Sequence, residues 1–278
     1  FIQLAEEIIK GRRLQRTEDL TELFTGDLEA LSLGADRIRQ VLCGNRAELC
    51  SIVNGRSGRC SENCKFCAQS AHHPTDCETY DFPEADEFVT GCGNMSRLGV
   101  DRYSIVTSGR AVEGDALEKS VRAYTAMHTR YPDMKLCASH GLMTVQDMAR
   151  LKAAGVSMYH TNVETSRRFF PHICTSHTYE DKLAQIRRAR EAGLEVCSGG
   201  ILGMGESWQD RADMALMLAE LEVRSIPLNF LLPIPGTPLA DQPLLSTDEI
   251  RRIVALFRYC NPEAYIRIAA GRIRFGDG

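Results

Sequence analysis

The sequence predicts an α/β protein built as a (β/α)8 TIM-type barrel, with helices ahead of it. Three observations carry that expectation. Seven short β-like runs alternate with helical stretches of about 10–15 residues, a rhythm that implies parallel strands joined by right-handed crossovers. The chain has 278 residues, 44% of them hydrophobic, enough for one large core. Seven strands over that length favour a closed barrel over an open sheet, with the doubly wound sheet as the alternative.

The elements follow in order. Residues 1–45 read as an N-terminal helical segment and residues 46–278 as the barrel domain. The opening FIQLAEEIIKGRRLQ is amphipathic and carries acids, unlike a secretory leader. Thr17 is placed to cap a helix before Leu20, Leu23 and Phe24, and a second apolar stripe runs through Leu28, Leu31, Ile38 and Val41. Strand runs are expected at Leu49–Val53, Arg102–Thr107, Lys135–Ala138, Ser157–Asn162, Glu195–Ile201, Ser225–Leu231 and Ala264–Ala269. Helices are expected over 84–98, 114–131, 144–154, 178–192, 208–221 and 247–259. In such barrels chemistry sits at the C-terminal strand ends, so site residues should follow the strand runs.

Composition removes several function classes. The formal net charge is −4 with no basic tract, which speaks against nucleic acid or an anionic membrane as partner. No apolar run approaches the ~18 residues that span a bilayer. The eleven cysteines are odd in number and are not spaced as a disulfide framework. A reducing cytoplasm is therefore the expected setting, where clustered cysteines bind metal or do redox chemistry.

The strongest local signal is Cys60-Ser-Glu-Asn-Cys64-Lys-Phe-Cys67, a C-x3-C-x2-C spacing just after the first strand run. Thiolates are soft donors suited to iron and zinc. Three in one loop can hold three corners of a cubane cluster and leave the fourth iron open to a small molecule. Zinc is the alternative, and it needs a fourth ligand, which His72 or His73 could supply. The Gly-rich segment Gly199-Gly200-Ile201-Leu202-Gly203-Met204-Gly205-Glu206 fits G-x-I-x-G-x-x-E, and glycines at a strand end let backbone approach a flat ligand.

With Phe66 before its last cysteine, this loop resembles the signature of radical S-adenosylmethionine (SAM) enzymes. The resemblance implies a 4Fe–4S cluster on Cys60, Cys64 and Cys67, with SAM on the open iron. The Gly199, Ile201 and Gly203 segment would lie near the adenine. From about residue 48 onward the chain resembles the biotin synthase family. The phrases that carry this are Asn63–Ser70, Asn162-Val163-Glu164-Thr165-Ser166, Val196-Cys197-Ser198-Gly199-Gly200, Pro227-Leu228-Asn229-Phe230, Gly236-Thr237-Pro238-Leu239 and Ile266–Arg272.

That family carries an auxiliary iron–sulfur cluster deep in the barrel, 2Fe–2S in most relatives, which supplies the inserted sulfur. Its ligands are cysteines on the second, third and fifth strands and an arginine on the seventh. Cys137, Cys197 and Arg267 match three of these positions. An arginine inside a barrel needs an anionic partner, because burying its charge alone is costly. The second-strand position departs from the family, with Ser104 where relatives have cysteine. Cys50 on the first strand stands where they have serine. The expected ligand set is therefore Cys50, Cys137 and Cys197 with Arg267 near, which points to a four-iron cluster with an exchangeable ligand.

The resemblance also implies that Asn162 and Glu164 bind the ribose hydroxyls of SAM, with Asn162 close to dethiobiotin. Asn229 would bond the ureido ring, with strand-end capping as the competing reading. Lys182 aligns with an arginine that helps hold SAM. The implied activity is sulfur insertion into dethiobiotin by a homodimer, with electrons from a flavodoxin or ferredoxin. Other radical SAM enzymes of the branch (hydrogenase maturase or methylornithine synthase type) and a non-catalytic metal-binding protein are the alternatives. Relatives continue past Ala-Gly-Arg into a last strand, absent from this sequence, with a Thr-Thr pair on the substrate carboxylate. No role is expected for Cys43, Cys77, Cys92, Cys174 and Cys260, nor one beyond packing for Trp208.

Overall fold

A computed structural model of the chain describes residues 1–271. The strands are β1 (Cys50–Arg56), β2 (Arg102–Thr107), β3 (Lys135–Ser139), β4 (Val156–His160), β5 (Glu195–Cys197), β6 (Gly200–Leu202), β7 (Ser225–Phe230) and β8 (Tyr265–Ile268). All pair in parallel: β1 through β5 in chain order, then β5 and β6 each with β7, and β8 on the far side of β7. Segments β5 and β6 are two halves of the single run expected over 195–201, parted at Ser198 and Gly199, so all seven expected runs are present. Among the described residues β1 pairs only with β2 and β8 only with β7, leaving an open, curled barrel. The further strand implied by the resemblance lies outside the described residues.

Helices α4 (Ala85–Arg97), α5 (Gly114–Arg130), α6 (Val145–Ala153), α8 (Tyr179–Glu191), α9 (Trp208–Glu220) and α10 (Thr247–Cys260) fill the six expected intervals, and the short α7 (Phe170–Ile173) precedes α8. Their starts are written in the sequence. Thr178, Ser207 and Ser246 open capping boxes with Asp181, Asp210 and Glu249, so both orphan backbone donors at each start are satisfied. Helix α10 buries Ile250, Ile253, Leu256, Phe257 and Tyr259 and packs on α3 (Leu28–Leu42), which in turn packs on α1 (Ile2–Ile9). In α3, Leu31 and Ile38 are buried, whereas Val41 is exposed. Thr17 caps no helix. The short α2 (Thr21–Thr25) starts later, where Asp19 Oδ1 accepts from Thr21 N at 2.9 Å. Trp208 does open a helix, stacked on Phe24 with ring centroids 5.9 Å apart.

Side chains alternate across each strand. The register therefore fixes which residues share the lumen: Cys50 pairs with Arg102, Ser104 with Cys137, Cys137 with Met158, His160 with Cys197, and Cys197 with Ser225. One cap also ties the wall to the site. The buried Asp210 of α9 accepts from Ser166 Oγ at 2.6 Å and from Ser207 N at 2.9 Å, and it pairs with Arg168. It thereby anchors the loop after β4 to the start of α9.

Burial pushes the Asp210 carboxyl up, but its Ser166, Ser207 and Arg168 partners outweigh this and hold it down at about 2. Its folded-state value is depressed, so its stabilisation is full above the ordinary aspartate range and is lost as pH falls through about 2. Asp210→Ala should cost about 2–4 kcal/mol near neutral pH through the lost cap and charged hydrogen bonds. That loss should shrink as pH drops from about 4 towards 2, read from urea midpoints across that range.

Candidate active site

The loop after β1 carries the three cysteines, and backbone bonds shape it. Cys60 N donates to Gln69 O at 2.9 Å, Ala71 N to Cys60 O at 2.8 Å, and Cys67 N to Cys64 O at 3.0 Å. Gly109 N, from the loop after β2, donates to Cys60 Sγ at 3.1 Å. Burial raises the Cys67 thiol. The hydrogen bond to Cys174 and burial raise the Cys64 thiol, and Glu164 adds a smaller push at both Cys64 and Cys67, so its carboxylate lies in their field. Phe66 packs half-buried on the core. His72 and His73 turn ring nitrogens to backbone carbonyls, Ser61 O at 3.1 Å and Cys64 O at 3.0 Å, and not to the thiols. Three thiols on one folded loop fit three corners of a 4Fe–4S cluster with one iron left open.

A neighbouring group went unforeseen. Cys64 Sγ lies 3.7 Å from Cys174 Sγ, in the segment after α7. Cys174 Sγ is 3.4 Å from His177 Nδ1, and that nitrogen is 2.5 Å from Glu62 Oε2. The hydrogen bond from Cys64, aided by His177 and Ser176, holds the Cys174 thiol down at about 3 against its burial. The signal was legible as Cys174-Thr-Ser-His177, a C-x2-H spacing, and as an acid inside the cysteine loop. Nothing in the chain order, however, joins the two segments.

Beside the loop, the ends of β4 and β5 form a polar shelf. Gly199 N donates to Asn162 Oδ1 at 3.0 Å, Asn162 Nδ2 to Glu164 Oε2 at 3.3 Å, and Lys182 Nζ lies 3.9 Å from Glu164 Oε1. Glu164 adopts a positive φ of 70°, uncommon for a side-chain-bearing residue, and is held there by Glu164 N to Gly199 O and Ile201 N to Glu164 O. A Cβ on Gly199 would lie 1.9 Å from Pro227 O, and one on Gly200 would lie 2.3 Å from Glu164 O. These two glycines are thus demanded by the protein's own backbone before any ligand is considered. Glu206 closes the segment: its carboxylate accepts from Gly203 N (2.9 Å), Met204 N (2.8 Å) and Arg211 Nε (2.7 Å). Asn229 Nδ2 donates to Gly200 O and its Oδ1 accepts from Ala270 N, each at 3.1 Å, so its amide caps strand ends.

Deeper in the lumen, Cys137, Met158 and Cys197 form a small buried cluster of their own. Arg267 Nη2 donates to Cys197 Sγ at 3.1 Å and Nη1 to Ser225 Oγ at 2.8 Å. Cys50 lies in the field of Arg267 and Cys197, and Cys137 in that of Cys197 and Cys50, so the three thiols share one space. Burial raises the Cys50 and Cys137 thiols. Cys197 is lowered despite its burial by His160, whose Nδ1 is 3.3 Å away, and by Arg267. His160 went unforeseen too, although it follows Met158 by two on the inward face of β4. Ser104 faces Cys137 across the β2–β3 register and works against the upward push of burial on its thiol. Three thiols, one guanidinium and one imidazole suit an anionic sulfide-rich group. The remaining cysteines pack elsewhere: Cys43 against Arg258, Cys92 and Cys260 in the core, and Cys77 3.6 Å from Ser57 Oγ.

Two family models match the chain: the Radical SAM superfamily over residues 56–218, and the Biotin and Thiamin Synthesis associated domain over 227–277. A biotin synthase of Clostridium beijerinckii is 54% identical over 276 residues, covering 99% of this chain and 87% of the relative. One of Alkaliphilus metalliredigens is 55% identical over 275 residues, covering 99% and 86%. Among solved structures, a methylornithine synthase superposes with a TM-score of 0.82 at 19% identity, covering 95% of this chain and 78% of that one. A hydrogenase maturase of Carboxydothermus hydrogenoformans gives 0.77 at 19%, covering 96% and 64%. At that identity the likeness is one of fold.

Glu206→Ala would leave two buried backbone donors unsatisfied and the buried Arg211 without its closest partner. It should cost about 3–5 kcal/mol in chemical denaturation. SAM binding, followed by equilibrium dialysis of the reconstituted protein, should weaken at least tenfold as the Gly203 turn loosens.

Proposed function

The chain belongs to the biotin synthase family of the radical SAM superfamily, and from that membership we propose how its residues divide the work of inserting sulfur into dethiobiotin to form biotin. It is a radical SAM enzyme, with a 4Fe–4S cluster and SAM as cofactors. Cys60, Cys64 and Cys67 would hold that cluster, and Gly109 N, directed at Cys60 Sγ, would steady one ligand. When bound, the cluster supplies the electron that cleaves SAM to methionine and a 5′-deoxyadenosyl radical, and the auxiliary cluster supplies sulfur. Asn162 and Glu164 would take the ribose hydroxyls, held in place by Gly199 N and the strained Glu164 backbone. Lys182, already beside Glu164, would meet the carboxylate end of SAM. The glycine segment Gly199, Ile201 and Gly203 would back the adenine, with Phe66 behind the cysteine loop. Asn229 keeps one amide proton beyond its strand-capping bond and would turn it to the ureido ring. The chain's main contribution is orientation and exclusion of water.

The observation that carries the sulfur-donating role is the convergence of Cys50, Cys137 and Cys197 on one lumen with Arg267 bonded to Cys197. We assign these three cysteines as ligands of the auxiliary cluster, with Arg267 on or beside it and Ser104 excluded as a poor iron ligand. Three thiolates with one adaptable position support a four-iron cluster rather than the two-iron type. Among the described residues no helix is long and apolar enough to cross a membrane. All eleven cysteines are free thiols, which supports a reducing cytoplasmic setting. A homodimer drawing electrons from a flavodoxin or ferredoxin completes the reading.

The test is anaerobic reconstitution with iron and sulfide, iron counting by Mössbauer spectroscopy, and assay for biotin from dethiobiotin, SAM and a reductant. About eight irons per chain are expected, and Cys50→Ser should fall to about four while still cleaving SAM. About six irons in the wild type would restore the two-iron cluster. Full biotin yield from Cys50→Ser would remove Cys50 from the ligand set.

A further inference from the structure

Cys174, His177 and Glu62 form a buried array against the cysteine loop, to which Glu62 itself belongs, and of the loop's three thiols it is Cys64 that lies beside Cys174. A three-cysteine cluster has no need of them. Cys174 and His177 are buried, as is Glu62. The ligand atoms of Cys64, Cys174 and His177 all lie within 4.8 Å of one another. Around a tetrahedral cation with metal–sulfur bonds of ~2.3 Å and a metal–nitrogen bond of ~2.0 Å, two sulfurs lie ~3.8 Å apart and sulfur and nitrogen ~3.5 Å. The observed Cys64–Cys174 separation is 3.7 Å, and Cys174 Sγ lies 3.9 Å from His177 Nε2.

The surroundings are also built for it. His177 Nδ1 faces the Glu62 carboxylate at 2.5 Å, so Nδ1–H donates there and Nε2 is left as the free donor nitrogen. That is the carboxylate–histidine–metal arrangement which fixes a ligating imidazole. Glu62 itself is braced by Ser176 Oγ at 2.8 Å and by Arg110 at 3.5 Å. Asn63 Oδ1 accepts from Thr175 N and Ser176 N at 2.9 and 3.0 Å, clamping the second segment against the first.

We propose that Cys64, Cys174 and His177 form a mononuclear site for a divalent thiophilic cation, iron(II) or zinc(II), that is occupied only while the three-cysteine loop is unloaded. Cys64 is the switch, because its sulfur cannot serve both groups in these geometries. An ion bound here already has one of the cluster's own ligands, with a fourth position open for exchange. Zinc(II) held there would instead keep the loop closed to iron.

Cobalt(II) is the probe, titrated anaerobically into iron-free full-length Cys60→Ser/Cys67→Ser protein, with thiolate charge-transfer and tetrahedral d–d bands as the readout. The Cys174→Ser and His177→Gln changes, each added to that background, should lose one equivalent of tightly bound cobalt. Glu62→Gln, which keeps all three ligands, should weaken that equivalent about tenfold. Iron(II) and zinc(II) should each displace it, and their relative affinities decide which ion the site favours. Wild-type protein carrying its 4Fe–4S cluster should bind one equivalent fewer than iron-free wild type. Unchanged cobalt stoichiometry and spectra in both ligand variants would overturn the site, and undiminished binding by the loaded wild type would overturn the exclusion. Neither result bears on the sulfur-insertion assignment, which the iron count of Cys50→Ser tests separately.

Discussion

The arrangement depends on one costly interaction, a guanidinium held inside a barrel. Arg267 is half-buried on β8 and spends its donors on Ser225 Oγ and Cys197 Sγ. An arginine does not shed its proton, so the interior must meet its charge with anionic or strongly polar partners. Thiols are the residues here that can become anionic without being large. The same charge that would destabilise an apolar lumen favours thiolate at Cys197, in concert with His160. An interior of this kind is a poor core and a good cage, and the dense apolar packing has been moved outward, between strands and helices.

That displacement explains why caps and buried ion pairs cluster at one end of the strands. Asp210 binds the loop after β4 to α9, and Glu206 binds the turn after β6 to the same helix through Arg211. Between these two anchors sit Glu164, in its strained conformation, and the glycines that let β5, β6 and β7 approach closely. The carboxylates of these two anchors, Asp210 and Glu206, are thus structural. The carboxylate that faces the open shelf, Glu164, is positioned by backbone bonds rather than by ion pairs of comparable strength.

Most of the framework was legible because it is local. Strand runs and helices follow from periodicity over a few residues, and the capping boxes at Thr178, Ser207 and Ser246 are three-residue patterns. The three-cysteine loop was legible for the same reason. Cys137 and Cys197 stood out only through resemblance to a family, since a lone strand cysteine is more often a small hydrophobe. His160 and the Cys174–His177–Glu62 array were missed because their meaning arises from pairing between segments more than 30 residues apart, which no local pattern encodes. The break in the fifth strand was missed because Ser198-Gly199 reads as continuous β sequence, whereas the demand comes from Pro227 O and Glu164 O pressing on the chain from either side. Thr17 was misplaced by the opposite error, a good cap residue in a segment where Asp19 lies closer to the helix start.

Strand length itself constrains how two sulfur sets can cooperate. Cys50 opens β1, a strand of seven residues, and the three-cysteine loop begins only beyond its end. At ~3.3 Å per residue, roughly 20 Å of wall lies between them along that edge. A reactive species generated at the mouth could not reach the deep thiols across such a gap unless the intervening molecules filled it. At the strand ends elsewhere in the barrel stand Asn162, just after β4, and Asn229, near the end of β7. Asn162 is fixed by Gly199 N and the Glu164 carboxylate, Asn229 by backbone alone, and each keeps a spare amide proton that can align an uncharged polar ligand without adding charge. A lumen with charge at its floor, and with neutral amides beside an acid at its strand ends, imposes an order on what it binds.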